Sequence, residues 1–383
     1  MASQSGHMIK EIAKGAVSLR YDKLCMSSYE LQRKANRVWT LEEKLDGLDY
    51  DYQKHIAPFQ DQKSITRRRS PDFIFRRPFV AELTDGVVVG PRAAIMTTEG
   101  KIVADSLKRP AKHHRLHGHI ADTVFSKSYI QHRVGDFGKE RNVDTAAVIH
   151  RKYSSDSFYH WLIDRISTLR GIEHYQAKTG NAVTIILSQH APDWIHSLLD
   201  HAGFSENQVM YYNGGPIHVQ NLVVPSWPEI TPKALTWLRE TIIGSVQPPD
   251  KKTPSRLYVS RQHTDRRKVV NYDEIRPVLT DYGIEVVHLE ETTFEEEVKM
   301  MNAAETVIGP HGAGLTGMIW AGDLSVLEIF NGNIIPPFYL MADILEFEYS
   351  AILGKAHENG KGGRHNNIYL DPNNLEKRLS EVL

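Results

Sequence analysis

Two stretches of this chain repeat the same alternation of strand-like and helix-like segments, and a proline-marked stretch separates them. In the first, residues 144–150 (DTAAVIH), 182–187 (AVTIIL), 208–212 and 218–224 read as short strands, and residues 157–172 and 192–202 carry helical spacing. In the second, strands are expected at 256–260, 284–288, 306–309 and 325–330, with helices at 273–282, 293–303 and 312–320. Strand, helix, strand in repeated order requires a parallel sheet covered on both faces. Between the two lie Pro225, Pro228, Pro232, Pro248, Pro249 and Pro254, with an amphipathic helix at 233–246 among them. Residues 226–255 are therefore the expected linker. The fold class is α/β with two Rossmann-like domains, 9–225 and 256–370, followed by a terminal helix within 371–383.

Composition agrees with two cores. The chain has 383 residues, long for one core, and 41% of them are hydrophobic, enough to fill two. A net charge of −1 gives no general pull toward nucleic acid or an anionic membrane. Cys25 is the single cysteine, so no intramolecular disulfide forms and a reducing, cytoplasmic setting is expected. No apolar window is long enough for a membrane span. Residues 1–8 (MASQSGHM) read as a non-native leader before a start near Met8.

The N-terminal third is less legible. Residues 79–103 suggest a small β meander with turns at Thr84–Asp85–Gly86 and Glu99–Gly100, an extension ahead of the first α/β unit. The run TRRRS at 66–70 with Arg76 and Arg77 is either a solvated face or a patch for an acidic ligand or peripheral membrane contact. The DYD of 49–51 resembles a metal-binding carboxylate pair but no apolar strand ends at it, and the four histidines of HHRLHGHI at 113–120 have no nearby cysteine and no HExxH pattern to make a metal site. The histidines are expected on a surface or substrate-facing loop, and no resident metal is expected.

The chemistry concentrates near residues 308–321, IGPHGAGLTGMIWA, where Gly312, Gly314 and Gly317 follow an apolar strand. In an open parallel sheet, ligands bind beyond the carboxyl ends of the strands. A helix starting there offers free N–H groups and the positive end of its dipole to an anion. Gly312, Ala313, Gly314 and Leu315 are thus candidates to hold a diphosphate through their amides, with His311 as a side-chain donor. Alternatively, the glycines only permit close helix–strand contact. The segment lacks the Lys-Ser/Thr ending of a P-loop, and although Gly312, Gly314 and Gly317 have the spacing of GxGxxG, they follow a late strand, whereas the dinucleotide fingerprint follows the first strand of its domain. Arg261 ends the strand RLYVSR and is placed to grip a phosphate. Gln262 through Lys268 continue as a polar loop, solvated at Arg266 and Arg267. Glu328, inside the apolar SVLEIF, must be paired, either with two ribose hydroxyls or in a buried ion pair.

In SDSFYHWLIDRIS, His160 and Asp164 are four residues apart and share one helical face. Beside a cleft such a pair serves as a general base; elsewhere it is a structural hydrogen bond.

Three segments in order resemble glycosyltransferase family 61, also described as a capsular polysaccharide biosynthesis (DUF563) family: FYHWLIDRI at 158–166, RLYVSRQHTDRRKVVN at 256–271, and VIGPHGAGLTGMIWA at 307–321 followed by VLEIF. The resemblance covers roughly 140–335. It implies two domains facing a cleft, the arrangement called GT-B, with the last helix packing back on the N-terminal domain. It implies inverting, metal-independent transfer from a nucleotide-activated donor, UDP-linked in the first instance, to a glycan or lipid-linked glycan acceptor. Asp164 becomes the leading candidate base and His160 the alternative or its orienting partner. Arg261, His311 and the amides of 312–315 would steady the departing diphosphate, Arg256 and Lys268 would support them, and Glu328 would hold the ribose. A nucleotide-sugar epimerase and a non-catalytic glycan- or nucleotide-binding subunit are the other readings.

Overall fold

The structure, a computed structural model, describes residues 21–42, 77–107, 113–134, 141–149, 157–228, 230–249 and 253–383. Residues 1–8, the carboxylates of 49–51 and the basic run 66–70 lie outside them. The described residues fall into two compact units, one ending before residue 230 and one starting there.

In the first unit, nine strands among the described residues form one sheet: β1 (Cys25–Met26), β2 (Arg37–Thr40), β3 (Phe79–Val89), β4 (Ala94–Met96), β5 (Ile102–Val103), β6 (Arg141–Ile149), β7 (Thr184–Ser188), β8 (Val209–Tyr212) and β9 (Ile217–Pro225). Their order is β1-β5-β4-β3-β9-β6-β7-β8, with β2 on β3. Strands β9, β6, β7 and β8 run parallel, as the alternation demands. The meander is not an appendage, however. β3 pairs antiparallel with β9 from Val80↔Pro225 to Val88↔Ile217, so the sheet is mixed. Thr84–Asp85–Gly86 does not end a strand. Asp85 takes φ 56° inside β3, and the chain turns instead at Gly90–Ala93. The continuous strand buries Leu83 and Val88 with Ala146, Ile186 and Leu222 in one core, a larger apolar surface than two short hairpin strands would cover.

Two helical expectations also change. The span 157–172 is broken at Arg165 (φ −131°, ψ −56°) into helix Phe158–Asp164, a 3₁₀ turn Ile166–Thr168 and helix Leu169–Thr179. The histidine cluster is no loop but part of the helix His113–Val124, which forms because Leu116 and Ile120, one turn apart, are fully buried.

The second unit holds a five-stranded parallel sheet: β10 (Arg256–Val259), β11 (Glu285–Val287), β12 (Thr306–Pro310), β13 (Ser325–Phe330) and β14 (Glu348–Leu353), in the order β11-β10-β12-β13-β14. A small antiparallel ladder, β15 (Lys355–His357) and β16 (Asn367–Tyr369), follows. From β10 the chain winds outward to β11, then returns past β10 to β12. The winding direction therefore reverses between β10 and β12, and the crevice beyond their carboxyl ends is the place such sheets offer to a ligand.

The expected linker is largely part of this unit. Helix Pro232–Ile243 starts where the Thr231 side chain accepts from the Ala234 N–H, with proline at the first helical position. It buries Ala234, Leu235, Leu238 and Ile242, and Arg239 Nε donates to the Ile319 carbonyl at 2.7 Å. The terminal helix Pro372–Val382 has its apolar stripe in the second unit. Leu375 and Leu379 are fully buried with Ile275, Leu279 and Tyr258 in the second unit's own core.

Candidate functional site

The glycine segment sits where the topology reverses. After β12 the chain extends through Gly312 and forms a 3₁₀ helix over Ala313–Trp320 rather than the α-helix expected. The Leu315 N–H donates to the Gly312 carbonyl at 3.1 Å, so the amides of Ala313 and Gly314 precede the first donor with an acceptor inside the helix. Leu315 itself is core, 1% exposed. The spaces left by the glycines have specific occupants. A Cβ on Gly314 would meet Val259 Cγ1 at 2.8 Å and Leu289 Cδ1 at 3.0 Å, and one on Gly317 would meet Met301 Cγ at 2.9 Å. At those two positions the close-contact reading holds. A Cβ on Gly312 would lie 2.2 Å from Nη1 of Arg261. That glycine makes room for an arginine.

Arg261 is one of several cations packed together. Its Nε donates to the Arg266 carbonyl at 3.2 Å, and burial holds its pKa below the usual arginine value. Arg267, in the left-handed region at φ 57°, is pushed down to about 10 by burial and then by Arg261, Arg266 and Arg364. Its Nε is buried without a partner. Arg364 arrives on a loop that Asn331, just past β13, holds through Nδ2 bonds to the carbonyls of Gly363 (3.3 Å) and Asn366 (2.7 Å). Burial lowers the pKa of His365, and Arg364, Arg266, Arg267 and Lys361 lower it further. Against these stand Glu290, acting on Arg261, and Glu328, acting on Arg267. Arg261 and Arg267 are half-buried, Arg266 and Arg364 are exposed, and Lys361 is paired with Asp265 at 2.9 Å; the two half-buried guanidinium groups repel each other and favour an anion between them. Arg267 was expected in a solvated loop and is instead half-buried, and Arg364 was not singled out in the sequence. The glycines preceding Arg364 in GKGGR are the one signal that its loop turns back sharply.

His311 joins this group with a different architecture. Its Nδ1 lies 2.5 Å from Oε1 of Glu328, and Tyr349 Oη donates to Oε2 of Glu328 at 2.5 Å. Glu328 is fully buried and both its oxygens are engaged, so the carboxylate orients an imidazole and is not open to a ribose. Phe330 and Phe338 pack on the imidazole at ring separations of 5.5 and 5.3 Å. Burial and the Glu328 charge raise the Tyr349 phenol well above its ordinary value, which keeps it a donor.

Arg256 is not part of the site. It opens β10, at the end of the strand away from the crevice, and its Nη1 donates to the Tyr282 carbonyl at 2.9 Å. Lys268 follows Arg267 on the same loop, where its carbonyl accepts from the Ile368 N–H at 2.9 Å.

In the first unit, His160 Nδ1 and Asp164 Oδ2 are 2.9 Å apart on the helix that follows β6. The His160 side chain is 50% exposed and that of Asp164 24%, so the imidazole is the more accessible partner. The next residue, Arg165, lays its guanidinium 4.8 Å from the Trp227 ring centre, just past the carboxyl end of β9.

Among the described residues, His263, His288 and Glu290 have ligand atoms within 4.8 Å of one another, the spacing a metal ion needs. The two imidazoles stack at 4.3 Å with an interplanar angle of 13°. Stacked rings hold their lone pairs in separate, nearly parallel planes, so one ring would have to turn to share an ion. His263 Nδ1 instead approaches Glu291 at 3.0 Å.

Residues 158–327 match the family model Glycosyltransferase 61. No curated protein matches. Solved structures with local likeness include the iron-containing dodecameric glycosyltransferase TibC from enterotoxigenic E. coli, at 10% identity and TM-score 0.29 over 57% of this chain and 64% of that one. They also include the E. coli heptosyltransferase WaaC with ADP, at 9% identity and TM-score 0.31 over 62% of this chain and 97% of that one. The chain thus spans less than two thirds of TibC. No helix of the described residues is long and apolar enough to cross a membrane.

Proposed function

We propose that this chain is an inverting, metal-independent glycosyltransferase of GT-B architecture that moves a sugar from a nucleoside-diphosphate donor to a hydroxyl of a glycan or lipid-linked glycan. The observation that carries the proposal is the cluster of Arg261, Arg267 and Arg364 beside His311 and the amides of Ala313 and Gly314, beyond β10 and β12. A diphosphate there would relieve the repulsion among the cations. The same groups would stabilise the charge that grows on the leaving phosphate as the glycosidic bond breaks. UDP is the first nucleotide to try, on the strength of the family resemblance.

The acceptor hydroxyl needs a base. The His160–Asp164 pair supplies one, with the roles reversed from the sequence-based order. Asp164 accepts the Nδ1–H of His160 and holds the ring, and Nε2 takes the proton as the acceptor oxygen attacks the anomeric carbon from the face opposite the leaving group.

A thermal-shift panel of UDP, GDP, ADP and CDP, each with and without EDTA, tests the donor side. One nucleotide should raise the melting temperature equally in both conditions; at 100 times Kd the stabilisation is about 2.7 kcal/mol. If none does, or only without EDTA, the donor reading fails. His160→Gln should lower transfer by about 10²- to 10⁴-fold with nucleotide binding intact, and Asp164→Asn by less. Transfer at the wild-type rate by His160→Gln would remove it from the mechanism. A new sugar isomer formed from donor alone would turn the reading to an epimerase.

A further inference from the structure

We propose that Glu328 and Tyr349 are positioning residues that hold His311 in its protonated form, with Nε2–H presented to a phosphate oxygen of the bound nucleoside diphosphate. This rests on the diphosphate reading above and deepens it, because it assigns the charge state of one donor and the groups that set it.

With Glu328 ionised, its two hydrogen bonds assign the protons. The Tyr349 O–H has its partner in Oε2 of Glu328, so that oxygen accepts. The other oxygen, Oε1, faces Nδ1 of His311, and an ionised carboxylate can only accept, so Nδ1 carries a proton. A neutral imidazole with its proton on Nδ1 has a bare lone pair on Nε2, which would repel a phosphate. Nε2 donates only when the ring is positive. The buried Glu328 carboxylate is the counter-charge that makes a positive ring affordable in a site already crowded with arginines.

The groups that face this pair are few. Glu328 comes from β13, and Tyr349 from β14 with Tyr339 against it at 4.9 Å between ring centres. Arg267 lies close enough for Glu328 to act on it, and Arg261 lies beside the adjoining Gly312. Phe330 and Phe338 close the apolar sides. The arginines favour loss of the imidazole proton and Glu328 opposes them. A bound diphosphate would add to the side of Glu328.

The test measures the Kd of UDP, or of whichever nucleoside diphosphate stabilises the wild type, from pH 5.5 to 9 in the wild type, His311→Gln, Glu328→Gln and Tyr349→Phe. The phosphate of the ligand titrates too, so each profile is read against His311→Gln, which carries only the ligand's own titration. The wild type should lose affinity with rising pH over and above that baseline. Glu328→Gln, which removes the facing negative charge, should abolish the added pH dependence or move it to lower pH. Tyr349→Phe should weaken binding about 2- to 12-fold at pH 6, the worth of one lost hydrogen bond. If Glu328→Gln does not fold, the wild-type, His311→Gln and Tyr349→Phe profiles still decide. Superimposed wild-type and His311→Gln profiles, an unmoved inflection in Glu328→Gln, or unchanged binding by Tyr349→Phe would overturn the proposal. Failure of the wild type to bind any nucleoside diphosphate would instead overturn the donor reading on which it rests.

Discussion

Two glycines two residues apart should fail in opposite ways when each is changed to alanine. Gly312 is extended (φ −174°, ψ 164°), a conformation alanine adopts freely, so the backbone pays nothing. The new Cβ would lie 2.2 Å from Arg261 Nη1 and 3.0 Å from its Cζ. Ordinary contact begins near 3.4 Å, so the guanidinium tip must move by more than 1 Å. A hydrogen bond to a phosphate oxygen tolerates a few tenths of an ångström. Losing a charge-assisted bond of about 1.5–3 kcal/mol weakens binding by about 10- to 150-fold. The flexible arginine can swing toward solvent, so stability should change little. Gly314→Ala has no such escape. Its Cβ meets Val259 Cγ1 at 2.8 Å and Leu289 Cδ1 at 3.0 Å, side chains packed against the sheet. Overpacking of this kind costs about 1–3 kcal/mol. At about 2–4 °C per kcal/mol for a unit of this size, the melting temperature should drop by roughly 2–12 °C. Calorimetric titration with the stabilising nucleotide and a thermal melt read both effects. Wild-type affinity in Gly312→Ala, or a larger melting drop in Gly312→Ala than in Gly314→Ala, would refute the reasoning.

Arg267→Gln removes a half-buried cation whose Nε has no partner; the ligand-free melting temperature should hold or rise while nucleotide affinity falls about 10- to 150-fold, and a fall in both would mean that the arginine serves the fold. Asn331→Ala frees the loop that carries Arg364, so nucleotide affinity should drop several-fold while ligand-free melting shifts by no more than a few degrees, as a melt and a titration would show. Glu297 is fully buried, and desolvation raises its carboxyl to about 8. Because the folded pKa lies above the unfolded one, the unfolded state releases the proton first as pH rises; stability contributed by the neutral form is complete below about pH 4.5, declines through the window and is gone above about pH 8. Glu297→Gln should flatten urea-midpoint profiles between pH 5 and 8.5, and an unchanged slope would show that Glu297 is not the group responsible.

Much of the second unit could be read directly because its signals are local. The runs that became β10, β12 and β13 are continuous and apolar, as strands covered on both faces must be. Arg261 and His311 could be singled out because residues just past the carboxyl ends of such strands lie at the edge where such sheets take a ligand. The first unit was harder for a physical reason. The partner of β3 is β9, more than a hundred residues away, and no local pattern says that a meander strand will close the edge of a parallel sheet. Helix Pro232–Ile243 was misplaced because prolines punctuate a chain without saying which core an amphipathic helix will join.

The site's charge balance was hidden for a related reason. Arg267 and Arg364 are almost a hundred residues apart, and the bonds from Asn331 that bring Arg364 close are a matter of tertiary geometry. Glu328 was correctly judged to need partners, but an apolar strand cannot name them; they are His311 from the neighbouring strand's exit and Tyr349 from β14. The same carboxylate that keeps His311 oriented also acts on Arg267. One buried negative charge is thus shared between an imidazole and a guanidinium, and it does not neutralise the remaining arginines. That deficit is what a diphosphate would fill. It also explains why the glycine at 312 matters more for an arginine's path than for the backbone's freedom.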